Sequence, residues 1–294
     1  MTAPDDTQLI QALERDLAPS GHVPDAAQWV RLKGGRTNHV WRITGPTGAN
    51  PVVVKLYAET SGNPLFPNRP DDEARVLHAL DGQGMAPRLL HRTATRLGPC
   101  VVYSHVSGAR WRDDPAKVAR LLRRLHGLAP PRGLRPAPDG SVALEAQIAA
   151  ILARCPGDVQ NMPGLPDTAV PPSGAACLLH GDPVPGNLIA QGAALHLIDW
   201  QCPAIGDPCE DIALFLSPAM QIAYRGAPLA QTEEQAFLSA YDSPRLLSRY
   251  AALAPWYHAR SFAYCLWQAH QGDKTAMTRA QAEHAALKGR VNNL

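Results

Sequence analysis

Long apolar runs are missing from this sequence, and that absence sets the first limits. No stretch approaches the roughly 18 uninterrupted apolar residues a membrane-spanning helix needs, so no membrane partner is expected. The opening residues, Met1-Thr2-Ala3-Pro4-Asp5-Asp6, are acidic and lead into no apolar segment, so no secretory signal is visible. A concentrated basic face is missing too. Net charge is +2 with acids and bases interleaved, which argues against a nucleic-acid partner. One local basic cluster, Arg120, Arg123 and Arg124 with Arg132 and Arg135, reads as the solvated side of a helix and the loop after it. Cys-x-x-Cys pairs are absent among the 6 scattered cysteines. These are expected to be reduced thiols of a cytoplasmic protein. Cys202 and Cys209 flank a functional-looking loop, where a metal pair is the rarer alternative.

What is present is an ordinary globular composition, 45% apolar and 18% charged over 294 residues, long enough for one large domain or two modest ones. Apolar spacing at Leu9, Ile10, Leu13 and Leu17 predicts a helix over 6–17. β-Branched runs at 40–43 and 52–56, around a Gly/Pro turn, predict a hairpin. A helix is expected over 71–80, opened by acids suited to its first turn, then strands at 88–91 and 100–105. After Ser107-Gly108 the pattern becomes mainly helical: 118–128, 142–154, 211–216, 231–241, 246–270 and 275–288. Short strands interrupt it at 177–179, 187–189 and 195–198. The expected organisation is a small β-rich lobe, 1–106, hinged near residue 107 to a larger helical lobe, 107–294.

The residues richest in chemistry lie between positions 180 and 200. A short apolar strand delivers Asp182 into a loop with two prolines and a glycine; Asn187 follows, and Asp199 stands twelve residues further on. Phosphoryl transfer needs a carboxylate to orient the attacking hydroxyl and take its proton, and oxygen ligands for magnesium. Asp and Asn oxygens suit that hard cation. Each residue alone has a plain structural reading as a turn or a cap; the spaced set is far more specific.

His180-Gly181-Asp182-Pro183-Val184-Pro185-Gly186-Asn187, followed by Leu197-Ile198-Asp199-Trp200, resembles the aminoglycoside phosphotransferase and choline kinase superfamily, which has the protein-kinase-like fold. The resemblance implies an α+β, two-lobe architecture and a Mg-ATP kinase. It makes Asp182 the catalytic base and Asn187 and Asp199 the magnesium ligands. Upstream, Leu32-Lys33-Gly34-Gly35-Arg36-Thr37-Asn38 resembles the nucleotide-covering loop, which makes Gly34, Gly35, Thr37 and Asn38 nucleotide-binding candidates. Lys55, after Val52-Val53-Val54, resembles the strand lysine that holds the α/β-phosphates. Glu73 is its candidate partner, with Glu59, Asp71 and Asp72 as competitors. Backbone groups of Ser104 and Val106 are candidates for adenine contact, and His126 is expected to cap a helix or bond the catalytic loop. Asp207 and Asp211, in Gly206-Asp207-Pro208-Cys209-Glu210-Asp211, are candidates to fix that loop or touch substrate. Pro183 and Trp200 depart from common family residues, but neither removes a ligand.

The acceptor is expected to be a small hydroxylated metabolite bound by the C-terminal helices. Trp256, Tyr264 and Trp267 would suit a quaternary ammonium through cation–π attraction, which favours a choline- or ethanolamine-like amino alcohol. The same spacing also fits plain core packing. An aminoglycoside or other sugar- or thiamine-type acceptor is the alternative; an aminoglycoside would draw on Asp207, Glu210, Asp211, Glu233, Glu234 and Asp242. A non-catalytic, nucleotide-binding regulator with the same fold is the alternative from another class.

Overall fold

The computed structural model describes residues 6–24, 26–32, 38–46, 50–58, 62–156 and 164–291. Contacts divide the chain into two units. Unit 1 comprises Met1–Asn63, Pro67–Ala109 and Ile189–Gln201; unit 2 comprises Pro64–Phe66, Arg110–Leu188 and Cys202–Leu294. The segment bearing Asp199 therefore belongs with the N-terminal sheet, whereas the sequence pattern assigns everything after residue 106 to one lobe.

Unit 1 opens with helix α1 (Asp6–Leu17), followed by strands β1 (Gln28–Arg31), β2 (His39–Thr44) and β3 (Val52–Leu56). Helix α2 (Pro70–Ala79) precedes strands β4 (Leu89–Thr95) and β5 (Gly98–Ser104). The five strands form one antiparallel sheet in the order β1-β2-β3-β5-β4. Alternation along the strands splits their side chains between two faces. Trp41, Ile43, Val54, Leu56, Cys100 and Val102 pack against Leu9, Leu13 and Leu17 of α1. Each of those buried leucines is worth about 2 kcal/mol of apolar transfer. By the same alternation Lys55 points to the opposite face, where α2 lies, and it is 1% exposed. Proline at the first position of α2 and Asp71, Asp72 and Glu73 in its first turn suit a helix N-terminus.

The chain crosses between units within β6 (Ala109–Arg110). In unit 2, helices α3 (Pro115–His126) and α4 (Ser141–Leu152) lead to β7 (Cys177–Leu179). Then come β8 (Leu188–Gln191) and β9 (Ala194–Leu197), which from Ile189 onward belong to unit 1 and are ordered β6-β8-β9 in a small sheet. Strand β10 (Ala204–Gly206) pairs antiparallel with β7. Helices α5 (Cys209–Leu216), α6 (Pro218–Arg225), α7 (Gln231–Tyr241), α8 (Pro244–His270) and α9 (Ala276–Val291) complete the unit. Among the described residues no helix is long and apolar enough to cross a membrane. All six cysteines are free thiols. Burial pushes Cys100 and Cys265 up to about 12 and raises Cys155, Cys177 and Cys209 as well.

Candidate active site

The loop after β7 is built from the backbone outward. Gly181 has φ +80°, and a β-carbon there would lie 2.2 Å from the Cys202 carbonyl oxygen, so only glycine fits. Asp211, at the start of α5, is fully buried and accepts from the backbone N–H groups of His180 (2.8 Å) and Gly181 (2.9 Å). His126 Nε2 lies 3.1 Å from the same carboxylate, and its Nδ1 meets the Tyr241 hydroxyl at 2.8 Å. Burial pushes the Asp211 carboxyl up, but His126 and the His180 backbone outweigh it and hold it below its ordinary value. On this base the Asp182 N–H donates to His180 Nδ1 at 3.2 Å. A 3-10 turn over Pro185–Asn187 then brings Asn187 back. Its Nδ2 donates to the Asp182 carbonyl (2.9 Å) and to Asp182 Oδ2 (3.1 Å). The Asn187 amide nitrogen is thus committed to Asp182. Asn187 closes this turn rather than starting a strand, because the two prolines hold the loop compact until Leu188.

In unit 1, Lys55 Nζ meets Glu73 Oε2 at 2.6 Å and Asp199 Oδ1 at 2.5 Å. Burial opposes a charged amine, but Asp199 and Glu73 outweigh it and hold Lys55 protonated well above its ordinary range. Burial also raises Glu73, to about 7, against the pull of Lys55. The Tyr57 hydroxyl donates to Glu73 as well. Asp199 itself keeps 30% of its side chain exposed and adopts φ +63°. A left-handed, non-glycine residue is uncommon, and in a polar cluster it is a functional signal. Of the acids competing for Lys55, Asp71 pairs with Arg92 and Asp72 with Arg69 and Arg75. Glu59 lies outside the described residues.

A sequence model of the phosphotransferase enzyme family matches residues 28–252, most of the chain. The chain belongs to the phosphotransferase enzyme family. No curated protein sequence matches it. Among solved structures it is similar to a choline/ethanolamine kinase family protein from Mesorhizobium loti, at 17% identity and TM-score 0.65, covering 97% of this chain and 94% of that one. An ethanolamine kinase of Plasmodium vivax is similar at 13% identity and TM-score 0.66, covering 96% and 89%. An aminoglycoside phosphotransferase from Streptomyces rimosus, in complex with ADP and streptomycin, is similar at 18% and 0.54, covering 87% and 99%. At these identities the likeness speaks for the fold, which is the protein-kinase-like α+β fold the motifs implied.

Several other candidates in this phosphotransferase take places different from those expected. Gly34, Gly35 and Thr37 lie outside the described residues. The Ser104 amide donates to the Arg88 carbonyl at 2.9 Å, so it is not available to adenine; Val106 lies beyond the strand end and is half-buried. Asn38 is buried among other carboxamides. Asp207 is 1% exposed, accepts from the Cys209 N–H at 2.9 Å and pairs with Arg249 at 2.5 Å. Both carboxylates, Asp207 and Asp211, are thus buried and engaged within the fold. Trp256 is 1% exposed too, and its Nε1 donates to Glu145 at 2.8 Å.

Tyr264 and Trp267 stand closer to the loop. Tyr264 packs with Val184, Leu65, Phe66, Cys202, Leu214 and Met220. Its ring stacks on half-buried Trp267 at 5.5 Å and meets Phe66 edge-on at 5.3 Å. Sequence reasoning missed Tyr224, 40% exposed, whose ring lies so close to Gly186 that a β-carbon there would sit 2.4 Å from Cδ1. The glycine of the loop was the available signal: it marks a close approach, although not by which residue. Tyr57 and Gln201 were missed too, since neither stands out in the residue pattern.

Proposed function

We propose that this phosphotransferase moves the γ-phosphate of ATP to the hydroxyl of a small metabolite, favouring a choline- or ethanolamine-like amino alcohol. The observation that carries the kinase reading is the Lys55 amine held between Glu73 and Asp199 at 2.6 and 2.5 Å. A buried amine whose carboxylate neighbours favour its charged form, one of them partly exposed, suits phosphate and a hard cation together. In this reading Lys55 holds the α/β-phosphates. Asn187, through its amide oxygen, and Asp199 would hold magnesium, and this oxygen set fits that metal. When bound, magnesium neutralises charge between the phosphates. Asp182 orients the acceptor hydroxyl and takes its proton. The hydroxyl oxygen bonds to the γ-phosphorus while the β–γ bridging P–O bond breaks and ADP departs.

Charge supports the acceptor preference. The carboxylates available for a polycationic aminoglycoside are already engaged elsewhere: Asp207 with Arg249, Glu210 with Arg260, Asp211 with His126, Glu233 with Arg225 and Asp242 with Arg123. The partly exposed aromatic side chains near the loop, Tyr224 and Trp267, instead suit one compact cation or an uncharged alcohol. An ADP-release assay over choline, ethanolamine, thiamine, homoserine, sugars and aminoglycosides tests this. The expected result is turnover with an amino alcohol, lowered about 10²–10⁴-fold in Asp182→Asn, the usual range for a general base. An aminoglycoside active where every amino alcohol is silent would sink the acceptor preference. Wild-type turnover of ATP that Asp182→Asn leaves intact would sink the mechanism, and no turnover with any acceptor would favour the regulator.

A further inference from the structure

Asn38 sits at a position the family resemblance assigns to the nucleotide, yet its side chain is 8% exposed and fully occupied. Nδ2 donates to Gln201 Oε1 and to Asn68 Oδ1, both at 2.9 Å. Oδ1 accepts from Asn68 Nδ2 at 2.7 Å and from the Ala58 N–H at 3.3 Å. Two donors and two acceptor sites are all a carboxamide has. Gln201, 7% exposed, comes two residues after Asp199. Its carbonyl accepts from the Arg69 N–H at 2.8 Å, and the Arg69 carbonyl accepts from the Glu73 N–H at 3.0 Å. The Glu73 carboxylate in turn accepts from the Trp200 N–H. The turn 199–201 is therefore held at both residues that follow Asp199. A left-handed, non-glycine aspartate is a strained backbone conformation, so its neighbours must fix it.

We propose that Asn38, Asn68 and Gln201 form a carboxamide clamp that positions Asp199 for nucleotide-bound magnesium, and that Asn38 does not itself contact the nucleotide. This rests on the Mg-ATP reading above. Three neutral side chains fix the turn without adding a charge that would compete with Lys55 or the metal. Buried and mutually satisfied, they form a rigid unit in which the loss of one member leaves the others unpaired.

Isothermal titration of ADP with and without Mg²⁺ tests the clamp apart from turnover. Asn38→Ala and Gln201→Met are each expected to weaken Mg-dependent ADP binding about tenfold, as loss of a supporting partner commonly does. The double variant should be no weaker than Asn38→Ala alone, since Asn38→Ala already removes the link to Gln201. ADP binding without metal should not change. Gln201→Met binding Mg-ADP like wild type would overturn the clamp. So would Asn38→Ala weakening metal-free ADP as much as Mg-ADP, which marks a direct nucleotide contact. Asn68→Ala, at the half-buried end, provides a milder third variant if either of the others fails to fold by circular dichroism. Wild type that binds no ADP under any condition sinks the Mg-ATP reading, and the clamp with it; wild-type binding with uncoupled variants sinks the clamp alone.

Discussion

At Gly181 a single hydrogen atom in place of a methyl group decides whether the 180–187 loop can form. Gly181→Ala would face both the positive φ and the Cys202 carbonyl at 2.2 Å. It is expected to cost about 3 kcal/mol, read as a lower urea midpoint with unchanged slope. Asp211→Asn removes the anion that two backbone N–H groups and His126 share, with an expected loss of about 3 kcal/mol at neutral pH. The pH dependence follows from its lowered pKa. A carboxyl held below its ordinary 3.8 contributes stability at and above that value and loses it as pH falls further. The gap between wild type and Asp211→Asn should therefore stay constant from pH 7 to about 5 and close in more acidic urea titrations. A gap that widens on acidification contradicts this. The residue pattern showed Asp182, Asn187, Asp199 and Lys55 because their chemistry and spacing are unusual in themselves. It left Asp211 open between loop and substrate, since its partners are backbone groups about 30 positions away, which no spacing encodes.

Helices and strands were legible wherever periodicity is strong. α1, β3, β7 and α7 fall at their expected bounds, and the long α8 was expected from 246 onward despite Pro255 inside it. The surrounding Leu253, Ala254, Trp256 and Tyr257 are all buried. Packing of that kind outweighs the roughly 3 kcal/mol an internal proline costs. β1, β6, β10 and α6 were not expected, because runs of two to eight residues between turn-formers carry too little pattern. α6 is positioned by a distant acid. Its N-cap Ser217 donates to Glu283 of α9, the Ala219 N–H donates to the same oxygen at 3.0 Å, and His258 of α8 meets Glu283 at 2.7 Å. Glu283→Ala should therefore unfasten three helices at once, lowering stability by about 3 kcal/mol. Replacement of an exposed neighbour such as Met277, 49% exposed, should leave the thermal midpoint nearly unchanged.

On the scale of the whole chain, the sequence showed the change from strands to helices near residue 107 but not the return of Ile189–Gln201 to the first unit. That return is made of backbone hydrogen bonds: Leu197 N–H to Met85 and Arg69 N–H to Gln201, both 2.8 Å. Asp199 adds its contact with Lys55. A fragment ending at residue 106 keeps all five strands of the large sheet but loses every one of these, and leaves Lys55 and Glu73 without Asp199. It is expected to lack a cooperative unfolding transition, measured by circular dichroism in urea. Adding 189–201 through a flexible linker should restore one. A cooperative transition in the shorter fragment would show that the sheet and its two helices suffice alone.

The six free thiols have a practical consequence. Burial that raises Cys100 and Cys265 to about 12 leaves them almost wholly protonated at neutral pH and unreactive toward maleimide. Cysteines introduced at exposed Leu97 in unit 1 and Val142 in unit 2 would then be the fast-reacting sites. A dye pair placed there turns the spacing of the two units into an optical signal, readable by energy transfer before and after nucleotide is added, with the native cysteines left in place.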